Sequence, residues 1–181
     1  NGSAQDDDGW LPLHHAASRD HHEALLILLA LGADPSAQTN DRRTALHLAS
    51  SNGYIPTVKV LLQHGVNRNT QTEIGDSAIH KAIFSESEEL VRILLDAGCD
   101  PYLQDEDGET AIETAHRLDL FGMSKLLAEY MVRDNETMSE LFTRLGIRDG
   151  VENEANLEAV SNYTEDNSDW EDVESDSESN K

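Results

Sequence analysis

The sequence predicts an all-α solenoid: four stacked helix-turn-helix units, each joined to the next by a hairpin loop, with one fixed period along the chain. Three observations predict it. His14, His47 and His80 are evenly spaced, and Glu113 takes the same place in a fourth copy. Gly32, Gly65 and Gly98 recur at that interval, each behind a leucine-rich run: "ALLILLALGADP", "TVKVLLQHGVNR" and "LVRILLDAGCDP". Two apolar columns keep the same register, Leu13, Leu46, Ile79 and Ile112 in one and Leu28, Leu61, Leu94 and Leu127 in the other.

Within each copy the elements follow from local chemistry. The first helix starts at Thr44, Ser77 or Thr110, whose hydroxyls cap free amide N–H groups; in the first copy Pro12 stands at the first helical position, where its missing N–H costs nothing. Ala16, Ala49, Ala82 and Ala115 are small enough to let successive first helices approach closely. The second helix ends at Gly32, Gly65 or Gly98, where glycine accepts a left-handed C-cap conformation. A polar segment such as "CDPYLQDEDGE" then projects as a hairpin. Such helix pairs bury their apolar faces only against neighbours, so the columns are the expected core.

Period, caps, glycines and leucines together resemble the ankyrin repeat family: D-x-x-G-x-T-P-L-H-x-A-A, a second helix ending in Leu-Leu, then Gly-Ala-Asp, over residues 6 to about 131. The repeats divide as residues 6–38, 39–71, 72–104 and 105–133. Leu11 replaces the capping Thr in the first, Arg42 a hairpin glycine in the second, and Met131 the terminal glycine in the fourth. The resemblance implies a hydrogen-bonding role between repeats for His14, His47 and His80. It also implies protein recognition by a concave face of hairpin tips and the exposed side of the first helices.

Carried onto this chain, that face draws from the tips Asp7, Asp8, Trp10, Asn40, Asp41, Arg43, Glu73, Ile74, Asp76, Glu106, Asp107 and Glu109. The helix ends add Ser18, Arg19, Ser51, Asn52, Phe84, Ser85, Arg117 and Leu118, and acids outnumber bases eight to three. The expected partner-binding residues are Trp10, Asp41, Arg43, Ile74, Asp76, Phe84, Asp107 and Glu109. Large apolar side chains ringed by charge are the usual anatomy of a binding hot spot. Asn69 is a candidate modification site, since its place in "VNRNTQ" is similar to that of ankyrin asparagines hydroxylated by an Fe(II)-dependent oxygenase.

Composition narrows the function classes. Thirty-six acids against 13 Lys and Arg give a net charge of -23, which sets aside nucleic acid as a direct partner. The single Cys99 excludes an internal disulfide, and no apolar run approaches the length of a bilayer span, so an intracellular protein of cytoplasm or nucleus is expected. No P-loop, dinucleotide fingerprint or Ser/His/Asp arrangement appears, so neither catalysis nor a cofactor is expected. His14, His15, His21 and His22 cluster, yet no flanking cysteine or ligand spacing supports a metal site. Cys99 stands at an alanine position and reads as a small buried hydrophobe.

The ends differ from the repeats. "EALLILLALG" places Leu26 and Leu31 where other copies carry Lys59 and His64, Arg92 and Ala97, or Lys125 and Tyr130, and a helix apolar all round is normally covered. With the opening "NGSAQDDDGW", which has neither initiator Met nor apolar leader, this reads as a fragment with a further repeat or domain before residue 1, or with a partner docked there. Residues 134–148 hold "TMSELFTRLG", where Thr137 and Glu140 have capping-box spacing, Met138, Leu141, Phe142 and Leu145 share a face and Gly146 terminates, as expected of a helix closing the stack. Residues 149–181 carry twelve acids and one base, a composition expected to be disordered, with Ser168 and Ser175 each three residues before an acid as in acidic-directed kinase sites.

The expected function is that of a non-enzymatic adaptor or chaperone-like binder of a basic protein segment. Similar arrangements occur in ankyrin chaperones of basic ribosomal proteins and in inhibitors of Rel-type transcription factors, although no D-S-G phosphodegron is present. The alternatives are the targeting or substrate-recruiting region of a larger multidomain enzyme or scaffold, or a regulator like those inhibitors of transcription factors.

Overall fold

Residues 4–132, 138–144 and 146 are described in the structure, a computed structural model. The chain divides into two units, residues 1–145 and residues 146–181; of the second only Gly146 is described, with φ of 68°. Thr137, Leu145, the side chains of Met138 and Phe142, and the segment 149–181 with Ser168 and Ser175 lie outside the described residues.

Repeat one contributes α1 (Pro12–Ala17) and α2 (His22–Ala30), repeat two α3 (Ala45–Ser51) and α4 (Ile55–Gln63). Repeat three contributes α5 (Ala78–Ile83) and α6 (Glu88–Asp96), repeat four α7 (Ala111–Arg117) and α8 (Phe121–Met131), and α9 (Met138–Arg144) follows. First helices pack on first helices, α1 on α3, α3 on α5 and α5 on α7; second helices likewise form the row α2, α4, α6, α8. α9 packs on α8 and buries Leu141 completely.

Both apolar columns are core. Leu13, Leu46, Ile79 and Ile112 are at most 2% exposed, and Leu61, Leu94 and Leu127 are wholly buried. Leu28 alone in its column is half-buried. Ala49, Ala82 and Ala115 have no exposed surface, as close approach of the first helices requires. Cys99 is buried, and burial pushes its thiol up to about 11, which keeps it protonated and unreactive at neutral pH.

The histidine ladder holds the start of each first helix to the next hairpin. The backbone N–H of Leu11, Thr44 and Ser77 donates to Nδ1 of His14, His47 and His80 at 3.0, 3.1 and 3.2 Å. On the other side of each ring Nε2 donates to the carbonyl of Ala37, Thr70 or Glu109 at 2.9, 3.0 and 3.2 Å. A backbone N–H only donates and a carbonyl only accepts, so each ring must be the neutral Nε2–H tautomer. In the fourth copy Glu113 takes over the first role alone, its Oε2 accepting from Thr110 N–H at 2.6 Å. Leu11 has no hydroxyl to accept the His14 amide, which donates instead to the Leu11 carbonyl at 2.9 Å.

The hairpins share one construction. Asp6, Thr39, Thr72 and Asp105, again one period apart, each donate a backbone N–H to the carbonyl of Trp10, Arg43, Asp76 or Glu109. Their side-chain oxygens accept backbone N–H groups of the same hairpin, among them those of Trp10, Arg43, Asp76 and Glu109 at 2.7, 3.0, 3.2 and 2.9 Å. The tip residue is left-handed in all four: Gly9, Arg42, Gly75 and Gly108 have φ of 78°, 61°, 77° and 78°. At Gly75 a Cβ would stand 2.7 Å from the carbonyl carbon of Asp105, so glycine is needed there for packing as well as for φ. Met131, with no glycine to stop the helix, lets α8 run to 11 residues; the Met131 side chain is buried and its carbonyl accepts from the Tyr102 hydroxyl at 2.7 Å.

This packing sets the response to substitution. Leu94→Ala is expected to cost about 2–5 kcal/mol in chemical denaturation, and Leu28→Ala clearly less, because its site is open on one side. Arg42→Gly is expected to stabilise by about 0.5–1 kcal/mol, because it relieves a left-handed side chain; Gly75→Ala has the opposite sign. A thermal melt of each variant checks both signs.

The ladder also makes stability depend on pH. Burial lowers the pKa of His14 and His80 and brings His47 from 6.5 to about 4. The unfolded chain therefore takes up protons that the folded chain refuses. Stability is fully present above about pH 6.5 and is lost as pH falls toward 4, by on the order of 3 kcal/mol for His47 alone. The His47 imidazole is expected to keep its neutral Nε2–H NMR signature down to about pH 4, and His47→Gln to flatten the fall in stability across that window.

Candidate functional site

The hairpin tips form a bonded row. Asn40 N–H donates to Asp8 O at 3.1 Å, Glu73 N–H to Asp41 O at 3.0 Å and Glu106 N–H to Ile74 O at 3.0 Å. Side chains reinforce the row: Asn40 Nδ2 donates to Asp7 O at 3.1 Å and Gln71 Nε2 to Gln104 O at 2.7 Å. Each tip is thus held by its neighbour, and the side chains at equivalent positions point from a fixed backbone.

One column of that row is Trp10, Arg43, Asp76 and Glu109, which hold equivalent places in the four repeats, and all but Arg43 touch a side chain of the first helix that follows. Trp10 is half-buried and lies on His15, ring centroids 5.1 Å apart, with the edge of His14 at 6.3 Å. Arg43 Nε pairs with Asp41 at 2.7 Å, and both side chains are about half exposed. Partial burial would raise the Asp41 carboxyl, but the Thr39 hydroxyl and the Arg43 guanidinium hold it below the usual range. Glu109 receives Arg117 Nε at 2.9 Å.

Asp76 corrects the expected surface set. It is 7% exposed and forms an ion pair with Lys81, itself largely buried, so it ties the third hairpin to α5 and offers no free charge to a partner. The pairing is invisible in the sequence because Lys81 comes within reach only when the hairpin folds back over the helix.

What remains accessible is simpler than the expected set. Asp7, Asp8, Glu73, Glu106 and Asp107 are exposed, and none has an ion-pair partner among the described residues. The bases predicted beside them are occupied, Arg43 by Asp41 and Arg117 by Glu109, while Arg19 leans on His15. Phe84, at the C-terminal end of α5, is 52% exposed with Lys81 Nζ 6.0 Å from its ring centroid, and Ile74 is 45% exposed on its tip. Acidic tips and an apolar spot are therefore both offered to solvent.

Asn69 lies exposed in the hairpin after α4, and its Oδ1 accepts from Asp100 N–H at 2.9 Å, which joins that hairpin to the next. His14 has both ring nitrogens engaged, and His15 Nε2 pairs with Asp6 at 3.1 Å. Among the described residues no group of three or more His, Cys, Asp or Glu side chains is placed to hold a metal ion. Nor is any helix there long and apolar enough to cross a membrane.

A stack of short helix pairs with projecting, mutually bonded hairpins defines an ankyrin-type array. The profile of ankyrin repeats, built as three copies, matches residues 1–72 and again residues 31–105. The matches together span 105 of the 181 residues, and the chain belongs to the ankyrin repeat family. No curated protein sequence matches it. Ankyrin repeats are protein–protein interaction modules, generally non-catalytic, and the partners they indicate are proteins.

Proposed function

We propose that the array is an adaptor or chaperone-like module that binds a basic protein segment along its hairpin tips and the inner side of its first helices. The observation that carries this reading is the set of five exposed carboxylates, Asp7, Asp8, Glu73, Glu106 and Asp107, beside which Arg43 and Arg117 are already paired, so that Arg42 is the one exposed tip base without an ion pair among the described residues. A row of like charge held on rigid backbone attracts cationic chains and repels acidic ones. Ile74 on its tip and Phe84 at the end of α5 supply apolar contact beside the charge, the combination from which hot spots are made. Residues 149–181, with net charge -11, would extend the electrostatic reach, and α9 would close the far end of the stack.

A second reading, the recruiting region of a longer enzyme or scaffold, is favoured by the open apolar side of repeat one. It differs in what surrounds the module, not in how the tips bind.

Binding kinetics with a labelled peptide that alternates Lys or Arg with Leu test the first reading. Joint replacement of Glu73, Glu106 and Asp107 by Lys is expected to slow association by about tenfold or more, and the wild-type association rate to fall as salt rises past about 0.15 M. Phe84→Ala should instead speed dissociation, costing on the order of 2 kcal/mol. Asp76→Asn belongs to the fold and should lower Tm with little change in association. Salt-insensitive association with a silent Phe84→Ala would move the interface off this face.

A further inference from the structure

The outer side of repeat one holds a cleft of about 540 Å³ between α1 and α2, lined chiefly by Pro12, His15, Ala16, Ala24, Ile27 and Leu28. We propose that this side is a stacking face, and that its occupant is one further helix pair of the same repeat, supplied by chain preceding residue 1.

The register of the array identifies the face. Ala24 is exposed, whereas its counterparts in the later repeats, Thr57, Leu90 and Met123, are at most 2% exposed. Leu28 is half-buried where Leu61, Leu94 and Leu127 are wholly buried, and Ile27 is 61% exposed where Val60 and Ile93 are half-buried and Leu126 is 3% exposed. Pro12 is likewise only half-buried where Ala45, Ala78 and Ala111 are closed. In repeats two to four the preceding repeat lies over these positions, and its contacts are explicit: Thr57 Oγ1 donates to Asp20 Oδ1 at 2.7 Å, and the Tyr130 hydroxyl bonds Asp96.

The backbone repeats the message. Asn40, Glu73 and Glu106 each give their N–H to a carbonyl of the preceding hairpin; Asp7 holds the same register, and its N–H meets no acceptor among the described residues. The row of tips stops one bond short at this end.

This polarity also selects the occupant. Only the trailing side of a hairpin presents the carbonyls that accept, those of Asp8, Asp41 and Ile74. A second copy meeting this one face to face would bring donor against donor, and a copy stacked head to tail would have to dock on α8, where α9 already packs. A preceding repeat satisfies both the apolar columns and the Asp7 amide. It would not cover Leu26, whose counterparts Lys59, Arg92 and Lys125 keep solvent contact in the middle of the stack.

The test expresses the protein from its natural start beside residues 1–181, with hydrogen exchange and thermal melts on both. In the longer chain Asp7 amide exchange is expected to slow by about 100-fold or more. Ile27→Asp is expected to lower Tm by more than about 5 °C there and to leave residues 1–181 nearly unchanged, since Ile27 is exposed in them. Three results would overturn the proposal: a natural start at or within a few residues of Asn1; a longer chain with unslowed Asp7 exchange and a silent Ile27→Asp; or residues 1–181 forming a dimer that Ile27→Asp dissolves.

Discussion

None of these helix pairs has a core of its own, and everything else in the structure answers to that constraint. The helices run from 6 to 11 residues, below the length at which an isolated helix holds together in water. Leu61, Leu94 and Leu127 reach full burial because the repeat before supplies the other wall, and Leu28, which has no such wall, does not. Stability is therefore a property of interfaces, and it is propagated from repeat to repeat.

The histidine ladder aligns those interfaces. A neutral imidazole has one donor and one acceptor on opposite sides of a rigid ring, which suits it to join a helix start, needing an acceptor for its amide, to a hairpin carbonyl needing a donor. His47 does both while 2% exposed. Protonation would put a second donor against the Thr44 amide and a charge into the core, which is why burial drives the ring's pKa down. The same rigidity carries through to the hairpins, whose tips are bonded to one another, and so to the placement of the exposed carboxylates. A surface made of loops is thereby as fixed as one made of helices.

The fold was legible because a one-dimensional array writes its geometry into sequence as a period. Histidines, terminal glycines, capping hydroxyls and leucine columns each mark a fixed place in the repeating unit, and the helices fall where these marks put them. The aspartate that opens the family pattern marks the base of the first and fourth hairpins at Asp6 and Asp105, with Thr39 and Thr72 in its place in the others, whereas the left-handed turn between the helices at Asp20, Gly53, Glu86 and Asp119, with φ between 53° and 72°, has no single residue type to mark it. The site was less legible. Exposure of Phe84 and Ile74 followed from their positions, but Asp76 counted as a free acid until Lys81 was seen beside it. Charge on a surface depends on pairing, and pairing depends on which side chains the hairpin brings over the helix.

By itself the sequence determined the number of repeats, the core columns and the excess of acid, because all of these are set by residue type at regular spacing. Tertiary structure alone decided which acids are free, how the ring nitrogens of the histidines are divided between capping and bridging, and that the leading side of repeat one stands open, with the Asp7 amide unmatched among the described residues. Those depend on which groups the folded backbone sets opposite one another, near neighbours such as Asp76 and Lys81 included, and a period records where a residue recurs without recording what stands across from it.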